Sequence, residues 1–258
     1  MASVGQDSSS REAVLKMSSQ LPHCQEGCSA SVQSSQPSNS KKEQRLRVVD
    51  NKDHWYDGRF YDVCIAPNQD RVFRQIGNLI SDQSSVLDVG CGTGRLAFQL
   101  ADKCTRIDGV DLSRRNVEIA RQKLAKRPSG VIAFHHADIL QFLKGSGREY
   151  DYSVLTYVLH EMQIGDRIST VHALAAATRR LIIVDYLVPQ PRTLTGVLNT
   201  LVERAAGQEH YRNFRTFTGA NGLAGLLRGA GLTIVEENRG SPAGAHIVVA
   251  RGDHQPSP

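Results

Sequence analysis

The run Val86-Leu-Asp-Val-Gly-Cys-Gly-Thr-Gly94 constrains this chain more than any other segment. Four residues suited to a buried strand lead directly into three glycines at alternate positions, and a helix-forming segment starts near Arg95. Glycines here let the backbone turn tightly and let a ligand approach the main chain without meeting a Cβ. Such a strand–turn–helix unit belongs to open parallel sheets, whose ligands sit over the carboxyl ends of the strands.

The rest of the chain supplies the matching elements. Short apolar runs at 86–89, 107–111, 131–134, 152–158, 181–187, 232–236 and 246–250 predict strands. Helices are expected at 69–80, 94–103, 113–125, 166–179, 196–206 and 220–230. Alternating strands and helices imply a doubly wound α/β fold with a mostly parallel, seven-stranded sheet covered on both faces. The last two runs are joined by Asn238-Arg-Gly-Ser-Pro-Ala-Gly244, which is too short for a crossover helix. They should pair as an antiparallel hairpin at the sheet edge.

Residues 1–43 read differently. The first forty contain twelve serines and five glutamines and no aromatic residue, so this tail is expected to be disordered. Asp7, Glu12 and Glu26 outnumber Arg11 and Lys16, which argues against an arginine-rich, acid-poor organelle-targeting segment. The five cysteines (Cys24, Cys28, Cys64, Cys91 and Cys104) are scattered and odd in number, as suits a reducing compartment such as the cytoplasm. No metal site is expected, because only His23 accompanies the Cys24/Cys28 pair. No apolar run approaches the length of a membrane span. A net charge of +5 permits a nucleic-acid partner without indicating one.

Spacing discriminates among nucleotide-type ligands. Dinucleotide folds use G-x-G-x-x-G, whereas this loop is G-x-G-x-G, one residue shorter. No Gly-Lys-Ser/Thr follows, so a P-loop is absent.

The glycine run resembles motif I of the class I S-adenosylmethionine-dependent methyltransferases, and three later segments continue the resemblance. Ile107-Asp-Gly-Val-Asp-Leu-Ser113 looks like their second strand, Ala137-Asp-Ile139 their third motif, and Glu149-Tyr-Asp-Tyr-Ser-Val-Leu-Thr156 their fourth strand. The similarity spans residues 44–258, a Rossmann-like domain with 44–80 as N-terminal lid helices and 187–218 as a lid insertion. It implies S-adenosyl-L-methionine as cofactor, held by Asp88, Gly90, Cys91, Gly92, Gly94, Asp111, Leu112, Ala137, Asp138, Ile139 and Thr156. Asp111 would accept hydrogen bonds from the ribose hydroxyls, and Asp138 would meet the adenine amine. Cys91 reads as a buried filler, since no neighbour in sequence would lower its pKa. Asp108, one residue off the ribose-binding phase, is expected to face solvent.

On the acceptor side, His160 follows the fourth strand and has the pKa range of a general base. Glu161 reads as a charge in the first turn of the next helix. The segment around Tyr56 and Tyr61 resembles the leading helix of the ubiquinone/menaquinone-type methyltransferases. Tyr157, His210, Tyr211 and Arg212 are further acceptor or lid candidates. The signatures of amino-methylating DNA and RNA enzymes and of cytosine-5 enzymes are absent, which leaves a small-molecule acceptor. An RNA or protein acceptor, or a cofactor-binding scaffold without turnover, stays open.

Overall fold

Seven hydrogen-bonded strands form the centre of the computed structural model, which describes residues 66–190, 204, 207–239 and 244–252. The strands are β1 (Ser84–Val89), β2 (Cys104–Asp111), β3 (Ile132–His136), β4 (Tyr150–Thr156), β5 (Thr178–Tyr186), β6 (Leu232–Asn238) and β7 (Ala245–Gly252). Their order is β3-β2-β1-β4-β5-β7-β6. The first five run parallel, and β7 inserts antiparallel between β5 and the edge strand β6. The expected fold class and terminal hairpin are both present.

Helices cover both faces. They are α1 (Ala66–Leu79), α2 (Arg95–Leu100), α3 (Arg114–Lys126), α4 (Ile139–Ser146), α5 (Ile164–Ala177), α6 (Gln208–Gly219) and α7 (Gly222–Gly229). The two-residue period of the strands divides their apolar side chains between two cores. Val86, Ile107, Val154, Ile182 and Val184 pack with Val72 and Ile76 of α1, Leu96 and Ala97 of α2, and Val117 of α3. Leu87, Val110, Leu155, Leu181 and Ile183 pack on the other side with Val171, Leu174, Phe217 and Leu223 of α5, α6 and α7. Burial on both faces explains why these strands read as continuous apolar runs.

Two helices were not among those expected. Ile139–Ser146 forms α4, capped by the Asp138 side chain, which accepts a bond from Gln141 N at 3.0 Å. Gln208–Gly219 forms α6, whose His210, Asn213, Phe214 and Phe217 are buried at helical spacing. The helix expected at 196–206 lies almost wholly outside the described residues, as do the 1–43 tail, Tyr56 and Tyr61.

The position of Asp108 is a correction. It is 1% exposed rather than solvent-facing. It accepts bonds from Tyr150 Oη (2.9 Å) and Arg148 Nη1 (3.1 Å) and lies 2.8 Å from His135 Nε2. Burial works against its ionisation, but the His135 and Tyr150 hydrogen bonds and the Arg148 charge outweigh it and hold the carboxyl low. Phe142 of α4 packs on the His135 ring at 4.8 Å.

A candidate active site at the carboxyl ends of β1, β2 and β4

The strand order reverses between β1 and β4, and the glycine loop leaves β1 at that switch point. Gly90, Gly92 and Gly94 all have positive φ (70°, 54° and 81°), which L side chains rarely adopt. Space imposes the same choice. A Cβ on Gly94 would lie 2.4 Å from Phe134 Cζ, and one on Gly90 would lie 2.4 Å from Val158 Cγ2. The loop is pinned by Gly90 N donating to Val110 O (2.8 Å) and Gly94 N donating to Cys91 O (2.9 Å).

A cleft opens beside it, lined by Asp88, Gly90, Cys91, Thr93, Arg95 and Thr156, with Gln69 and Phe73 of α1 opposite. Asp70 of α1 clamps Arg95 through two bonds of 2.6 and 2.8 Å, which holds that wall in place. Two buried atoms of the cleft, Asp88 Oδ2 and Thr156 Oγ1, have no hydrogen-bond partner among the described residues. Burial, and then the charge of Asp111, push the Asp88 carboxyl up to about 7. Burial likewise pushes the Cys91 thiol up, so Cys91 stays neutral and fills space. A buried carboxyl and hydroxyl without partners, beside bare glycine backbone, fit a ligand that brings an ammonium group and hydrogen-bond donors. The amino-acid end of S-adenosylmethionine has that character.

Asp111 closes β2 on the far side of the loop. Its Oδ2 accepts from Gly92 N at 2.7 Å and its Oδ1 from Ser113 N at 2.8 Å. The carboxylate therefore braces the glycine loop, a role the sequence reading did not give it. Leu112 is half-buried and its carbonyl lies 3.0 Å from His136 Nε2. Ala137 N donates to Asp111 O at 3.1 Å, joining the third motif to the second. Asp138 caps α4 with one oxygen, and Ile139 is buried in the second core.

The acceptor side is built from the ends of β4 and β5 and the start of α6. Tyr157 holds a φ of 58°, a left-handed conformation that costs a non-glycine residue roughly 1–2 kcal/mol. His160 is 2% exposed. Its Nδ1 lies 2.8 Å from Asp185 Oδ1, and its backbone N donates to Asp185 Oδ2 at 3.1 Å. A carboxylate accepts, so Nδ1 carries the hydrogen, and Nε2 lies on the other edge of the ring, 3.8 Å from Glu161 Oε1. Tyr186, Phe214 and His210 surround the ring at centroid distances of 4.8, 6.2 and 5.7 Å. Tyr157 packs on Tyr186 at 5.4 Å.

His210 thus packs against the His160 ring. Tyr211 is half-buried against Phe214, whereas Arg212 lies on the exposed face of α6 and away from this group. Glu161 precedes α5, which starts at Ile164, and lies in the loop beside both histidines.

Two residues escaped the sequence reading. Asp185 is a carboxylate inside the apolar run at 181–187, and that interruption was the available signal. Arg167, 2% exposed, donates to Leu159 O (2.9 Å), Met162 O (3.1 Å) and Asn213 O (2.6 Å). Nothing in its sequence context separates it from a solvated helix charge.

Known proteins share the fold and the glycine-loop segment. A family profile described as "Methyltransferase domain" matches residues 86–180, from the glycine strand to β5. The chain is 26% identical over 171 residues to the O-methyltransferase cnsE of Penicillium expansum, covering 65% of this chain and 59% of that one. It is 26% identical over 120 residues to a ubiquinone biosynthesis O-methyltransferase of Bartonella quintana (strain Toulouse), covering 46% and 44%. The matched segment thus spans about half the length of these curated relatives. Among solved structures, magnesium protoporphyrin IX methyltransferase of Synechocystis PCC 6803, crystallised with S-adenosylhomocysteine, superposes with a TM-score of 0.51 at 24% identity. That match covers 83% of this chain and 96% of the other and shows a shared fold. The strand order, the glycine loop at the switch point and the matching profile converge: residues 86–180 match a methyltransferase domain, and the fold is similar to that of the class I S-adenosylmethionine-dependent methyltransferases.

Proposed function

We propose that this protein moves a methyl group from S-adenosylmethionine to an oxygen of a small organic acceptor. The observation that carries the reading is the cleft in which Asp88 Oδ2 and Thr156 Oγ1 are buried without partners beside the glycine loop. Asp88 would receive the ammonium group, the loop backbone would flank the methionine portion, and Asp111 would hold the ribose. Asp138 and the neighbouring Ala137 and Ile139 would border the adenine. When bound, S-adenosylmethionine supplies a methyl carbon already activated by a sulfonium, so the protein's main task is alignment.

Tyr157, His160, Tyr186, His210 and Phe214 form the acceptor side, and their rings favour a planar, partly apolar acceptor. His160 would take the acceptor's hydroxyl proton at Nε2, while Asp185 stabilises the resulting imidazolium. Relatives named as O-methyltransferases, including enzymes of ubiquinone biosynthesis, support oxygen as the accepting atom and the ubiquinone/menaquinone-type branch. The cysteines Cys91 and Cys104 are free and buried, which suits a cytoplasmic setting. Among the described residues no helix is long and apolar enough to cross a membrane.

Titration calorimetry with S-adenosylmethionine and, separately, with NAD tests the cofactor. Heat only with S-adenosylmethionine is expected, and its absence would overturn the reading. Transfer of a radiolabelled methyl group is then followed in a metabolite extract, an RNA fraction and a protein fraction. Label confined to macromolecules would replace the small-molecule acceptor by RNA or protein. Binding without transfer in any fraction would leave a scaffold.

A further inference from the structure

Three side chains beside the acceptor site converge in a way that proton transfer alone does not require. His160 and Glu161 follow β4, and His210 comes from the first turn of α6, nearly fifty residues later. Glu161 Oε1 lies 3.8 Å from His160 Nε2 and 3.8 Å from His210 Nε2. The three ligand-type atoms all fall within 4.8 Å of one another. Both histidines are buried, and Glu161 is 39% exposed and forms the open side.

The frame around these atoms is braced independently of any ligand. Asp185, fully buried, fixes the His160 ring through Nδ1 and leaves Nε2 directed at the group. A carboxylate behind the distal nitrogen is the usual support of a metal-ligating histidine. Two bridges tie the loop to α6. Asn213 Nδ2 donates to Glu161 O at 2.8 Å. Arg167 spans from Leu159 O, next to His160, to Asn213 O, one turn after His210. The loop carrying His160 and Glu161 is therefore tied to α6, which carries His210, by buried and part-buried hydrogen bonds.

We propose that His160, Glu161 and His210 form a binding site for a divalent transition-metal cation of the zinc class. Two imidazoles and one carboxylate suit such a cation, whereas magnesium and calcium favour oxygen ligands alone. Zinc bonds of roughly 2.0–2.2 Å at tetrahedral angles place ligand atoms about 3.3 Å apart. The 3.8 Å separations need a contraction of about half an ångström, within reach of the half-exposed Glu161 side chain. The two histidine atoms, at most 4.8 Å apart, must approach by up to about 1.5 Å through rotation of the His210 ring or a shift of α6. Three protein ligands leave one coordination position open, as catalytic sites of this type do.

One consequence rests on the methyl-transfer reading above. An acceptor hydroxyl bound at the open position loses its proton to water near neutrality, and its electron pair remains on oxygen for the new C–O bond. The Nε2 lone pair of His160 serves either the cation or a proton, so the metal-loaded protein deprotonates its acceptor through the cation. The metal-free protein retains the imidazole route.

The test measures metal on the full-length chain. Protein stripped with EDTA is dialysed against Zn2+, Co2+ or Mg2+ and analysed by mass spectrometry, with the visible spectrum of the Co2+ form as a second readout. One Zn2+ or Co2+ per chain is expected, with no stoichiometric Mg2+. Glu161→Gln and His210→Gln should each weaken zinc affinity at least tenfold, and a Cys24→Ser/Cys28→Ser variant should leave this site's metal in place. Should His210→Gln melt early, Glu161→Gln, at the half-exposed residue, decides. Absence of stoichiometric metal in the stripped and reloaded wild type would overturn the site. So would metal that survives both ligand substitutions or disappears only with the cysteines. Calorimetry with S-adenosylmethionine on the same samples reports the methyl-transfer reading separately, since metal binding without cofactor binding would remove the consequence and leave the site.

Discussion

Replacing Asp88 by asparagine should stabilise the cofactor-free protein at alkaline pH while weakening its hold on S-adenosylmethionine. Asp88 is buried, its Oδ2 has no partner among the described residues, and its carboxyl is pushed from 3.8 to about 7. The folded pKa lies above the unfolded one, so between those values the folded state binds more protons. Stability therefore falls as pH rises through this window. Three pKa units at about 1.4 kcal/mol each set an upper bound of about 4 kcal/mol. Of this, about 2–3 kcal/mol is lost between roughly pH 5 and pH 8, because part of the penalty is already present at the lower pH. Asp88→Asn has no charge to desolvate. Urea denaturation of both proteins at a series of pH values should show the wild type losing about 2–3 kcal/mol relative to the variant across that interval. Saturating S-adenosylmethionine should close most of the gap at the alkaline end, because an ammonium group gives the wild-type carboxylate its partner. Parallel stability profiles for the two proteins would refute the argument, since they would mean that Asp88 ionises as readily folded as unfolded.

The remaining predictions bear on other parts of the site. Gly94→Ala forces an L residue to a φ of 81° and drives a Cβ against Phe134, so it should cost roughly 2–4 kcal/mol in urea denaturation; Gly130→Ala, with nothing within 4 Å, is the control. Asp111→Ala removes the acceptor of the Gly92 and Ser113 amides together with the ribose contact, and calorimetry should show S-adenosylmethionine binding weakened roughly 10–100-fold. Equal affinity would remove Asp111 from the cofactor site. Arg167→Met strands the carbonyls of Leu159 and Asn213 and should lower the melting temperature by roughly 5–10 °C, with a larger loss of turnover than of cofactor affinity. Asp108→Asn should flatten the acid limb of the stability profile. The depressed Asp108 carboxyl stabilises the fold above its unfolded pKa, and that contribution disappears as pH falls through the folded value.

Much of the donor half of the molecule was legible in the chain itself. The apolar runs named all seven strands, and the G-x-G-x-G spacing named the loop, because buried strands and positive-φ turns impose local demands that only certain residues meet. The helix α4 was missed because its eight residues are short and follow β3 almost directly, and Asp108 was misplaced because its partners His135, Arg148 and Tyr150 lie 27 to 42 residues away. The helix α6 was read only as a substrate-bearing insertion, although its buried positions keep helical spacing.

The sequence by itself determined the strands and the glycine loop, since each rests on residues adjacent along the chain, whereas the strand order and its switch point came with the pairing of distant strands. Only the tertiary structure decided the acceptor half. Asp185 reaches His160 from a neighbouring strand end, Arg167 and Asn213 lock the intervening loop to α6, and His210 returns to Glu161 from across the fold. Those contacts join residues about 25 to 52 positions apart. Periodicity carries no signal at that range, because which side chains meet is set by how the helices pack on the sheet.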